Sequence, residues 1–124
     1  MRKLEIQKLD ETIQKRAIAE MKHAEKLIAR ILFLEGTPVV SNLNKIFIGG
    51  EVPKMHEYDH GAEEVAIRGY NATIRMAVEA GDNNTKVLLE SILKEEEDHI
   101  DWIEGQLDQI KQMGVQTYLA EQIY

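Results

Sequence analysis

Cysteine is absent from the 124 residues, and proline occurs only twice. The first absence excludes a disulfide scaffold and any thiolate-based metal or thiol chemistry. The second leaves long stretches with nothing to break a helix. Basic charge is also scarce: 15 Lys and Arg stand against 22 Asp and Glu, a formal net charge of -7. Phosphate contacts need a basic face, so a nucleic-acid binder is disfavoured. An acidic surface instead attracts cations. Long apolar runs are missing too. The most apolar segment, Ile28 to Leu34, is interrupted by Arg30 and is far too short to span a bilayer. The N-terminus, Met1-Arg2-Lys3-Leu4-Glu5-Ile6-Gln7-Lys8, has basic residues but no apolar stretch behind them, so it does not read as a signal peptide. The expectations are one domain over 1–124, cytoplasmic, binding neither membrane nor nucleic acid.

Two regions bearing Pro and Gly divide the chain into three long helical stretches. The first runs from about Leu4 to Leu34, with apolar residues at Leu4, Leu9, Ile13, Ala17, Met21, Ala24, Ile28 and Ile31/Leu32. These step mostly by three and four, the period of an amphipathic helix. Gly36 is expected to end it, with Pro38 preventing its resumption. A connection from Gly36 to Pro53 follows, including the β-like run Lys45-Ile46-Phe47-Ile48. That length suits a crossover from one end of a bundle to the other. The second helix is expected from Val52 to Ala80, with an apolar face of Met55, Ala62, Val65/Ala66, Gly69, Ala72 and Ile74/Met76. Gly81 stops it, and Asp82-Asn83-Asn84 supplies cap candidates for a third helix to Met113. Val87/Leu88, Ile92, Ile100, Ile103, Leu107 and Ile110 form the third stripe. The tail from Gln116 to Tyr124 suits a short final helix. The fold class is therefore all-α.

Chemistry-bearing residues lie within this pattern. Glu20 and His23 stand three apart on the first helix, and Glu96 and His99 repeat the spacing on the third. Residues three apart share a helix face, so each pair is able to grip one ion. The second helix offers Glu63, flanked on its face by Asp59 and His60. Carboxylate with imidazole and no thiolate favours iron, manganese or zinc over copper(I). A histidine beside a core stripe is ordinarily just a satisfied core residue. Two of them, each with a Glu one turn earlier, tilt the reading towards metal.

The surrounding motifs are more specific. Glu20-Met21-Lys22-His23-Ala24-Glu25, followed by Ile31-Leu32-Phe33-Leu34-Glu35-Gly36, resembles the second helix of a bacterioferritin. Glu95-Glu96-Glu97-Asp98-His99-Ile100-Asp101-Trp102 resembles that family's fourth helix, and Met113-Gly114-Val115-Gln116-Thr117-Tyr118-Leu119 its entry into a short fifth helix. The family's known site takes one Glu from each of two helices and a Glu-x-x-His from each of the other two.

The resemblance implies a ferritin-like bundle and a di-iron carboxylate site. Glu20 and Glu96 would bridge two irons about 3.5–4 Å apart, His23 and His99 would each bind one, and Glu63 would be a terminal ligand. The implied activity is oxidation of Fe(II) by O₂ or peroxide, for iron storage and detoxification. Met21, directly after Glu20, would be an axial ligand to haem shared between two subunits. The family's first long helix, bearing a sixth ligand, has no counterpart before Leu4. The expectation is a bundle whose fourth helix is absent or supplied by another subunit, in a homo-oligomer of at least two chains. The competing expectation is a non-catalytic helical assembly that keeps the metal or haem ligands without turnover.

Overall fold

The computed structural model describes residues 7–38 and 52–122. These contain three long helices and one short one: α1 Gln7–Phe33, α2 Val52–Glu79, α3 Asn83–Met113 and α4 Val115–Ala120. No strand occurs among the described residues, and none of their helices is long and apolar enough to cross a membrane. The all-α set of three long helices and a short C-terminal one is the set expected of a ferritin-like bundle. The helix bounds agree with the expected ones to within a few residues. The crossover and the Lys45–Ile48 run fall largely or wholly outside the described residues. The chain divides into two compact units, one holding α1 and α4, the other the α2–α3 hairpin.

In the first unit, α1 ends differently from the expectation. Glu35, not Gly36, takes the left-handed conformation, at φ 64°. Gly36 N–H donates to the Ile31 carbonyl at 2.8 Å and Glu35 N–H to that of Leu32 at 3.0 Å. These are the paired bonds that satisfy the last carbonyls of a helix. The bonds hold a residue that would otherwise avoid this region.

The buried side of α1 also departs from the expected stripe. Leu9 and His23 are buried, whereas Ala17, Met21 and Ala24 are exposed. Steps of four advance about 400°, so each drifts roughly 40° around the helix. Three such steps carry Met21 about 120° away from Leu9. The protected line instead runs Leu9, Ile13, Arg16, Glu20, His23, Leu27, alternating four and three. At the other end of this unit, Gly114 at φ 83° leads into α4. Tyr118 on α4 is fully buried, which pushes its phenol up to about 12. The Lys8 N–H in the first turn of α1 donates to the Gln122 carbonyl at 3.0 Å, giving one of the helix's orphan donors a partner.

In the second unit, Gly81 at φ 72° ends α2, with Asp82 N–H donating to the Ala77 carbonyl at 2.8 Å. Asp82 then caps α3: its Oδ1 accepts the Thr85 N–H at 3.1 Å, and its Oδ2 accepts the Thr85 hydroxyl. One residue thus closes one helix and opens the next. A turn this short sets α2 and α3 antiparallel. The buried line of α3 is Leu89, Ile92, Glu96, His99, Ile103, Gln106, so the expected Ile92 and Ile103 are core. On α2 the buried residues are His56, Glu63 and Ala77. Half of the face expected there is outside: Val65, Gly69, Ala72 and Met76 are exposed, whereas Met55, Ala62, Ala66 and Ile74 are half-buried.

Candidate metal centre

Each unit builds a carboxylate–imidazole pair of its own. On α1 the three-residue spacing puts Glu20 Oε1 3.6 Å from His23 Nδ1. His23 is buried and Glu20 half-buried. Arg16, one turn earlier, sets a guanidinium nitrogen 3.1 Å from the same Oε1. A cation taken up at Glu20 therefore competes with a guanidinium for that oxygen. Sequence reasoning passed over Arg16; its spacing of four from Glu20 was the available signal. Met21 is 64 % exposed, about 100° around the helix from Glu20.

The hairpin brings Glu63 of α2 to His99 of α3, with Oε1 3.4 Å from Nδ1. Glu96 lies one turn before His99 and is 1 % exposed. Two buried carboxylates and a buried imidazole within one helical hairpin are costly to hold away from water. A divalent cation offsets that cost, and oxygen and nitrogen donors without sulfur suit iron. The donor set fits the metal that the motifs imply.

His60, half-buried on α2, turns elsewhere. Its Nε2 is 2.9 Å from Glu104 of α3 and its Nδ1 3.2 Å from Glu64. Both ring nitrogens face carboxylates outside the Glu63 pair, so His60 serves as a tie across the hairpin. Asp59 beside it is half-buried.

Two aromatic rings complete the surroundings. The Trp102 indole lies nearly parallel to His99, with centroids 6.1 Å apart and planes at 15°. His56 meets Trp102 edge-on, at 5.6 Å and 79°. His56 is 1 % exposed; burial first, and then the neighbouring His99, lower its pKa to about 4. Sequence reasoning missed His56. The signal was its position seven residues before Glu63, two turns along one helix face.

Known proteins resemble this chain over most of its length. The ferritin-like domain model matches residues 1–113. A bacterial ferritin of Synechocystis is 38 % identical over 119 residues, covering 95 % of this chain and 76 % of the relative. The bacterioferritin of Rhodobacter capsulatus is 35 % identical over 111 residues, covering 90 % and 69 %. That of Brucella melitensis is 37 % identical over 102 residues, covering 82 % and 63 %. With the two Glu-x-x-His pairs standing on helices of the expected order, the chain belongs to the ferritin-like family, among the bacterioferritins.

Proposed function

We propose that this chain takes up Fe(II) at Glu20, His23, Glu63, Glu96 and His99, oxidises it and retains it as Fe(III). The observation that carries the reading is the buried Glu63–His99 pair with Glu96 one turn away. The family membership and the matching Glu20–His23 pair support it. Glu20 and Glu96 would bridge, His23 and His99 would each hold one ion through a ring nitrogen, and Glu63 would close the α2 side. A di-iron pair so held supplies two electrons, one from each Fe(II), to O₂ or peroxide. The residues' own part is to hold the ions, and to balance charge as Fe(III) forms. Carboxylates suit this because they are anionic, hard and able to change between bridging and chelating modes.

Assembly belongs to the same proposal. Large apolar residues on α1, among them Ile18, Met21, Leu32 and Phe33, are exposed. They support self-association into at least a dimer. Met21, with its thioether outside, suits a haem ligand shared between two such copies.

The test is anaerobic Fe(II) titration of the purified chain, followed by air. Saturable binding near two ions per chain, with O₂ consumption lost in Glu96→Ala, is the expected result. Oxidation no faster than buffer, or unaffected by Glu96→Ala, overturns the enzymatic reading. Binding without O₂ consumption would favour the non-catalytic assembly. Haem is read separately, by reconstitution with haem b and comparison of its spectrum with Met21→Ala.

A further inference from the structure

Four side chains of the hairpin follow one another without a break. His56 touches the face or edge of Trp102 at 5.6 Å between centroids. Trp102 lies against His99 at 6.1 Å. His99 presents Nδ1 to Glu63 at 3.4 Å. Three of these four have roles or simple explanations: Glu63 and His99 as ligands, Trp102 as the apolar body over an imidazole. His56 has none in the iron chemistry proposed above.

Its burial needs a reason. Withdrawing an imidazole from water costs free energy that an aliphatic side chain of similar bulk would not. Besides its ring nitrogens, an imidazole brings an aromatic ring, which an aliphatic group lacks. Edge-to-face pairs have a preferred geometry. The His56 ring, set nearly perpendicular to the indole, fixes its tilt, and the indole plane fixes that of His99. A ligating imidazole depends on such support, because a ring free to swing presents its nitrogen only part of the time.

We propose that His56 is a positioning residue for His99, acting through Trp102 so that Nδ1 stays directed at Glu63. The proposal rests on the reading of His99 as an iron ligand.

Trp102 is the only tryptophan in the chain, so its optical signals report this stack alone. The experiment uses the full chain as wild type, His56→Leu and His56→Phe. Far-UV circular dichroism checks helicity, the near-UV tryptophan band reads ring order without metal, and Co(II) titration followed by Trp102 quenching reads the site. In His56→Leu we expect wild-type helicity, loss of most of the near-UV band and Co(II) binding weakened about 10-fold, the lower end for second-layer substitutions. In His56→Phe the ring edge returns, and with it the band and most of the affinity. A folded His56→Leu with band and affinity as in wild type overturns the proposal. So does a folded His56→Phe that restores neither. Should His56→Leu fail to fold, His56→Phe decides alone: retention of band and affinity upholds the proposal, and loss of both ends it. Wild-type protein that takes up no Co(II) and no Fe(II) would overturn the iron reading instead. The metal-free band would then still show whether His56 orders the two rings.

Discussion

The two ends of the α2–α3 hairpin are made of different material. Near the turn the buried residues are Ala77, Leu89 and Ile92, and Asp82 closes the corner with backbone and hydroxyl bonds. Away from the turn they are His56, Glu63, Glu96, His99 and Gln106, with Ile103 the apolar exception. One end follows ordinary folding economics, in which apolar area leaves water. The other withdraws imidazoles, carboxylates and an amide, groups that stay buried only where other side chains or an ion satisfy them. The turn end is the apolar anchor of the hairpin, and the open end is where the proposed metal ligands of α2 and α3 lie.

The largest expected effect tests the turn end. Ile92→Ala removes a 1 % exposed side chain and should cost about 2–5 kcal/mol, read by urea or thermal unfolding of the metal-free protein. Metal uptake, measured under conditions where the variant remains folded, should keep its wild-type stoichiometry. Lost stoichiometry with little lost stability would reverse the assignment of the two ends.

Acid tests the open end. The folded pKa of His56, about 4, lies below its ordinary value of 6.5. The unfolded chain therefore binds the proton more readily between these values. The contribution is complete above pH 6.5, declines as pH falls towards 4 and reaches its floor below that. The full decline is on the order of 3 kcal/mol. Unfolding free energies measured across this window should slope down in wild type, and the slope should shrink in His56→Leu. An equal slope in the two proteins would place the acid sensitivity elsewhere.

Metal linkage sharpens the contrast further. Co(II) at about 100 times its dissociation constant should stabilise wild type by about 2.7 kcal/mol. Glu96→Gln should abolish that gain. Without metal the same variant should stay within about 1 kcal/mol of wild-type stability, because the amide keeps the shape of the carboxyl group. A Glu96→Gln protein that is both weakened and still metal-responsive would make Glu96 a structural residue.

The sequence made some of this legible and hid the rest for identifiable reasons. Helix spans followed from Gly81, Pro38 and the spacing of Leu, Ile and Val, which depend on local chemistry. The pairs Glu20–His23 and Glu96–His99 were legible because their three-residue spacing survives in one dimension, whereas the approach of Glu63 to His99 came only with the folded hairpin. The core was harder. Val65, Met76 and Met21 are apolar yet outside, whereas Glu63, Glu96 and Gln106 are polar yet inside. A stripe traced through apolar residues therefore slid off the protected line. His56 was hidden for the same reason: its meaning lies in Trp102, 46 positions later in the chain. The left-handed site at Glu35 was hidden because glycine stood next to it and looked the natural occupant.

The smallest effects compare the two ends through glycine. Gly81 at the turn has φ +72°, with nothing within 4 Å of an added Cβ. Gly81→Ala therefore meets no neighbour, and its cost is backbone strain alone, roughly 1 kcal/mol. Gly61 and Gly105 sit inside α2 and α3 and are exposed, again with nothing within 4 Å of an added Cβ. They have helical backbone, so alanine there should stabilise by about 0.5–1 kcal/mol each. The same substitution thus takes opposite signs at the turn and along the helices. Thermal unfolding of the three single variants reads the difference. If Gly61→Ala or Gly105→Ala instead destabilises, while leaving the isolated chain helical, that surface is occupied in the assembled protein. The open end would then carry an interface as well as the proposed metal site.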